Sequence, residues 1–249
     1  LKRVIGIRRG NGDAGRVERF EVEYEERTTL LDALELIRTG RAPDLSYRHS
    51  CHHGSCGTCS VRVDGREILA CLTRLSSLSG KEPLVEPLAA FNVVTDLVID
   101  PGRLFRSLPE DSTYLRAAES SSSSQTSSSI DAAVGPVSPS DTPRVRFEDC
   151  IECGACVSAC PITAAAGSDS FIGPAALAAV HRESINRPER KDEMLDIAAL
   201  PAGVAACERK LECSRVCPRA VYPAKHIELM RRELNAPRDI LIKNSGDKK

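Results

Sequence analysis

Eleven cysteines fall in three blocks, and their spacing decides what chemistry they can do. Cys51-x4-Cys56-x2-Cys59 is followed, after eleven residues, by Cys71. Cys150-x2-Cys153-x2-Cys156-x3-Cys160 runs directly into Pro161. Cys207, Cys213 and Cys217-Pro218 repeat that run with one position missing. Thiolates are soft ligands, and these offsets are those of iron–sulfur centres: a plant-type [2Fe–2S] pattern followed by two bacterial-type cuboidal runs. A chain that strings such centres together moves electrons.

In the first block four thiolates must converge on a two-iron rhomb. Cys51, Cys56 and Cys59 share one loop, and Cys71 arrives after a hairpin. Between them Gly54, Ser55, Gly57 and Thr58 are small, so the backbone can wrap closely and aim N–H groups at sulfur. Cys51-x-His53 copies half of a Rieske pattern, but the other half needs Cys-x2-His, and Cys56-x2 leads to Cys59. His52 and His53 are therefore expected to face solvent rather than bind iron.

In paired cuboidal runs the fourth cysteine serves the opposite cluster. Crossing in that way puts Cys150, Cys153, Cys156 and Cys217 on a [4Fe–4S] centre, and Cys160, Cys207 and Cys213 on the other. A complete last run carries cysteine at position 210, where Lys210 stands. An ammonium has no lone pair to offer iron, so three thiolates are expected to hold a three-iron [3Fe–4S] centre. Structural zinc wants two pairs of ligands, which two overlapping CxxC steps before Cys-Pro do not match. An odd, tightly clustered cysteine count also argues against a disulfide framework.

The elements that must position these ligands can be read on either side of them. Residues 4–7 and 20–24 alternate as strands, and Gly10-Asn-Gly12-Asp-Ala-Gly15 between them is a hairpin turn. It spells a dinucleotide fingerprint, but a strand follows where a helix N-terminus is needed. Thr29 and Asp32 open a helix as a capping box, with Leu30, Leu34 and Ile37 on one face up to Gly40. Asp64-Gly65 turns a hairpin between residues 61–63 and 68–70. Residues 93–99 read as a further strand ended by Asp100-Pro101.

Serines at 120–124 and 127–129, then Pro and Ser over 135–143, form a polar tract unable to bury a core. Beyond it, Pro174 suits a helix first turn, and residues 194–200 and 226–234 read as helices, the latter with Ile227, Met230 and Leu234 on one face. The charged stretch 187–192 reads as solvated surface, and the five histidines have no triad spacing. The expected fold class is α+β. A plant-type ferredoxin-like (β-grasp) domain spans 1–105, a linker with the serine insertion spans 106–143, and an all-α bacterial-ferredoxin-like domain spans 144–249.

Net charge of −1 argues against nucleic acid as a partner. Hydrophobic content of 41% permits a core, but aromatics contribute only 4%, so cluster bonds are expected to replace part of the missing packing. No stretch approaches the ~18 apolar residues of a spanning helix. No secretory leader is evident, and the start at Leu1 suggests residues upstream.

Several strings then converge on one family. They are Leu45-Ser-Tyr-Arg-His-Ser-Cys51, Gly54-x-Cys-Gly-x-Cys59, Leu69-Ala-Cys71, Thr95-Asp-Leu-Val-Ile-Asp100, Cys150-Ile-x-Cys-Gly-x-Cys156, Phe171-Ile-Gly-Pro-Ala-Ala-Leu177 and Val216-Cys-Pro218. In these the chain resembles the iron–sulfur subunit of succinate dehydrogenase and fumarate reductase, the electron-transfer subunit of respiratory complex II. The resemblance implies a flavoprotein subunit with FAD on one side. On the other it implies membrane anchor subunits with quinone or menaquinone, and electrons passing between the two sides. It also implies a peripheral position on the cytoplasmic face of the cell membrane, or on the matrix side of the mitochondrial inner membrane.

Two departures bear on the quinone end. Family members often place Ser after Cys-Pro and Trp shortly beyond, whereas Ile162, Thr163 and Ala164 follow Pro161 here and Trp is absent. Glu208, Arg209 and Lys210 are more charged than usual. Pro161 and Ile162 are the quinone-lining candidates. The alternatives are a soluble multi-cluster redox carrier, or the iron–sulfur subunit of a thiol-linked fumarate reductase.

Overall fold

Alternating apolar side chains build the first half around a five-stranded mixed sheet. Strands β1 (Lys2–Arg9) and β2 (Arg16–Glu23) pair antiparallel in full register, from Lys2 opposite Glu23 to Arg9 opposite Arg16. Strands β3 (Ser60–Val63) and β4 (Arg66–Leu69) form a hairpin. Both turn residues, Asp64 (φ 48°) and Gly65 (φ 82°), are left-handed, as the twist of a two-residue hairpin requires. A short β5 (Leu84–Glu86) lies between the two hairpins, parallel to β1 and antiparallel to β3, giving the order β2-β1-β5-β3-β4. The structure is a computed structural model describing residues 1–11, 15–108, 150–165 and 170–236. The serine tract and the Pro/Ser segment lie outside those residues.

Helix α1 (Leu30–Gly40) packs Leu30, Leu31, Leu34 and Ile37 onto Ile5, Ile7, Phe20, Val22, Val61, Val63 and Val85. Its capping box closes as expected. Thr29 Oγ1 accepts from Asp32 N at 3.2 Å, and Asp32 Oδ2 accepts from Thr29 N at 2.8 Å.

Residues 93–99 are two short strands rather than one, β6 (Val93–Thr95) and β7 (Val98–Ile99), paired antiparallel. Asp96 breaks the run by turning left-handed at φ 47°. Its buried carboxylate accepts from Gly10 N (2.7 Å) and Ser46 N (2.9 Å) and lies 3.1 Å from Arg9 Nε. Backbone demand and one buried guanidinium thus outweigh the strand propensity of the valines.

Helix α2 (Gly102–Ser107) leads toward the second half, where Leu104 packs with Val157 and Ala175. That half is helical: α3 (Ala155–Ser158), α4 (Pro161–Ala165), α5 (Pro174–Asn186), α6 (Lys191–Ala199), α7 (Glu212–Arg215) and α8 (Pro223–Asn235). Pro174 occupies the first turn of α5, and Pro223 that of α8. Helix α5 is buried from Pro174 to Ser184, so it forms the axis of the half. Around it Phe171, Met194, Val204, Ile227 and Met230 complete the core, with Leu234 packed against them.

The charged stretch 187–192 differs from its reading as plain surface. Residues Pro188–Arg190 make a 3-10 turn, and α6 starts at Lys191. Arg187 Nε and Arg190 Nη1 reach Glu183 Oε2 at 3.3 and 4.0 Å, because Glu183 is buried and needs cations.

Two buried histidines meet where α5 packs on α8, His181 Nδ1 lying 2.9 Å from His226 Nδ1. Burial holds both imidazoles below the ordinary histidine range. For His226 the positive charge of a protonated His181 adds to this and brings the pKa to about 4. Between pH 6.5 and about 4 the unfolded chain therefore binds more protons at this position. The stabilisation is complete above pH 6.5 and is lost as pH falls. Between pH 7 and 5 the protein is expected to lose about 2 kcal/mol from this source. It is read as the difference in chemical denaturation between the parent and His226→Gln; parallel pH profiles would exclude it.

Candidate metal centres

The β3–β4 hairpin delivers two of the first four cysteines. Cys59 directly precedes β3, and Cys71 lies two residues beyond β4. The register Ser60 opposite Leu69, extended by the Ala70 N–H donated to Cys59 O (3.1 Å), sets them side by side and buried. Burial pushes the Cys59 thiol up to about 12. Cys51 and Cys56 sit on the rim loop, half-buried. Cys51 Sγ accepts from the N–H groups of Ser55 (3.2 Å) and Cys56 (3.3 Å), and Cys56 Sγ from Thr58 N (3.5 Å). The His53 and Cys56 N–H groups bring the Cys51 thiol down to about 6. Small residues between the ligands thus do aim backbone donors at sulfur.

His52 and His53 are exposed, as expected. His52 is not idle, however. Its Nε2 lies 3.0 Å from His49 Nδ1, and His49 Nε2 lies 3.3 Å from Glu35 Oε1 on α1, which braces the loop against the helix.

The seven remaining cysteines border two cavities. Cys150, Cys153, Cys156 and Cys217 line the first, with Leu104, Ile151, Ala175, Pro218 and Val221 as an apolar wall. Cys160, Cys207 and Cys213 line the second, along with Pro161, Ile162, Lys210 and Leu211. The last cysteine of each run therefore stands with the opposite run. Val221 N lies 3.4 Å from Cys217 Sγ and donates to it. Burial raises Cys150 to about 11, Cys153 to about 12 and Cys213 to about 11, and drives Cys156 well upward. Such thiols give up their protons only to a strong cationic partner, so the donor sets suit iron–sulfur clusters. Among the described residues no three His, Cys, Asp or Glu side chains meet as a single-ion site. A cavity edged by sulfur on several sides is what a polynuclear cluster needs.

Lys210 is exposed at the edge of this cavity, its Nζ 3.5 Å from Glu208 Oε2. Arg209 (φ 58°) and Leu211 (φ 65°) flank it in left-handed conformations, which carry the backbone sharply around this corner of the second cavity. Pro161 is exposed and Ile162 half-buried at the same cavity.

The first sulfur group is held against the second by Gly57. With φ +70°, it lies so close that an added Cβ would meet Cys153 Cβ and the Ile151 carbonyl oxygen at 2.7 Å each. The seam is fastened beside it, where Ser158 Oγ accepts from Ala89 N (2.8 Å) and donates to the buried carboxylate of Glu67 (2.7 Å). None of these contacts has a local sequence signal, because each joins residues at least 69 positions apart.

Residues 4–106 match the family described as 2Fe-2S iron-sulfur cluster binding domain, and residues 146–221 the one described as 4Fe-4S dicluster domain. The chain is 35% identical to the fumarate reductase iron-sulfur subunit of Haemophilus influenzae, over 84% of this chain and 82% of that one. It is 31% identical to the succinate dehydrogenase iron-sulfur subunit of Coxiella burnetii, over 82% and 83%. In fold it is similar to a chain of the Mycobacterium smegmatis Sdh1 complex in the apo form, with a TM-score of 0.73, 22% identity, and 97% and 99% coverage. Two cluster-binding domains in this order, with likeness running through both, place the chain in the family of iron–sulfur subunits of fumarate reductase and succinate dehydrogenase.

Proposed function

We propose that the chain is the wire of a membrane-associated oxidoreductase, carrying electrons between the FAD of a flavoprotein subunit and quinone at membrane anchor subunits. Cys51, Cys56, Cys59 and Cys71 hold [2Fe–2S]; Cys150, Cys153, Cys156 and Cys217 hold [4Fe–4S]; Cys160, Cys207 and Cys213 hold [3Fe–4S]. When bound, these centres supply stepwise one-electron transfer. The β-grasp-like half supplies the first ligand set, and the helical half the other two.

The observation that carries this reading is the unbroken row of sulfur groups. Gly57 brings the first against Cys153, and the second and third are joined by the exchange of Cys217 and Cys160 between the two runs. Apolar side chains line most of the second group's cavity, and each group has half-buried cysteines. Such a row suits a carrier with one partner at each end. Pro161 and Ile162 wall the outer end and are the candidates to meet quinone. No described helix is long and apolar enough to cross a membrane, so attachment falls to the anchor subunits.

Low-temperature electron paramagnetic resonance of the air-oxidised complex tests the ligand set. A near-isotropic signal of an oxidised three-iron centre is expected. Its absence from intact, cluster-replete protein would rule out Lys210 as the vacant corner. Lys210→Cys is the converse: a fourth thiolate is expected to recruit a fourth iron and abolish most of that signal. Purification decides the partners, since recovery of the chain fully loaded but free of any flavoprotein favours an independent carrier.

A further inference from the structure

The cavity of the proposed four-iron ligand set is lined mainly by apolar side chains, with Glu152 and the exposed Arg219 as its charged members. Apolar surroundings disfavour added negative charge. One buried cation stands behind this cavity. Ala178 and Ala179 on α5 pack with Val221 against Cys150 and Cys217. Their small side chains let α5 come close, and Arg182, one turn further on, extends from the same face. Arg182 is 6% exposed, and its Nε and Nη2 donate to Glu183 Oε1 at 3.2 and 2.9 Å. Glu183 is shared with Arg187 and Arg190, and Arg190 pairs more closely with Glu193, so carboxylates and guanidinium groups are interleaved behind Arg182. Glu152, between Cys150 and Cys153, lines the same cavity.

We propose that Arg182 is a positioning residue for electron transfer, a fixed buried charge that raises the reduction potential of the centre held by Cys150, Cys153, Cys156 and Cys217. Each electron accepted adds one negative charge beside the guanidinium, and Glu183 partly offsets that attraction. The inference rests on the ligand assignment above. It concerns affinity for the electron, not the binding of iron.

The test is a potentiometric titration of the purified, cluster-replete complex with dithionite and mediators, followed by electron paramagnetic resonance. At the parent's midpoint, Arg182→Gln is expected to lower the reduced-to-oxidised ratio of the four-iron centre about tenfold, or about 59 mV for one electron. That is the scale of one partly compensated charge at close range in an interior of effective dielectric about 20. Arg182→Lys keeps the charge and is expected to restore the ratio to within about threefold. An intact centre with an unmoved ratio in Arg182→Gln overturns the inference. Should that variant lose the centre, Glu183→Gln decides: a raised ratio supports the inference, and an unchanged or lowered one overturns it. A parent protein with no four-iron centre would overturn the ligand assignment itself, and this inference with it.

Discussion

Cys217→Ser is expected to empty the four-iron site while leaving the three-iron signal in place, although Cys217 lies in the same stretch of chain as Cys207 and Cys213. Cys217 shares its cavity with Cys150, Cys153 and Cys156, not with its sequence neighbours. Changes in the outer shell of a metal site already cost about 10–100-fold in affinity. Loss of a ligand is expected to reach or exceed the top of that range. Cys160→Ser should do the reverse, since Cys160 borders the cavity of Cys207 and Cys213. The pair is read by iron content and by the two resonance signals on one preparation. Loss of only the three-iron signal in Cys217→Ser would reverse the assignment.

Gly57→Ala should be nearly as damaging, though it removes no ligand. The new Cβ meets backbone and Cβ atoms of Ile151 and Cys153, which cannot swing aside as a side-chain tip can. Left-handed backbone for alanine and overpacking together cost roughly 2–5 kcal/mol. Much of that strain is relieved if the seam opens and the first sulfur group withdraws from the second. Thermal unfolding should shift down. After rapid mixing with succinate and freezing, the first centre should fill normally while the second and third fill late. Unchanged filling of all three would mean that this contact does not set the separation.

The cysteine blocks were legible because metal ligation demands particular residue types at particular offsets, and few other constraints produce them. Thr29 with Asp32 and Asp64 with Gly65 were legible for a related reason: caps and tight turns are decided within four residues. Strand β5 was not, because Leu84–Glu86 is three residues long and bracketed by Pro83 and Pro87, which ordinarily mark a break. Its place in the sheet comes from pairing with β1 and β3, from which it is distant in sequence. The hairpin of β6 and β7 hid behind valines until Asp96 was seen to serve Arg9, Gly10 and Ser46. Arg187 and Arg190 read as surface because their partner, Glu183, is buried only by helix packing. Gly57 carried no visible role beyond the loop, since the atoms it must clear belong to the other half.

Iron and acid-labile sulfide, measured per chain on anaerobically purified complex, bear most directly on whether distant sulfurs gather three separate redox stations. About nine irons and a matching complement of sulfide, as one two-iron, one four-iron and one three-iron centre require, are expected. Zinc in place of iron, or iron and sulfide sufficient for one centre only, would contradict it.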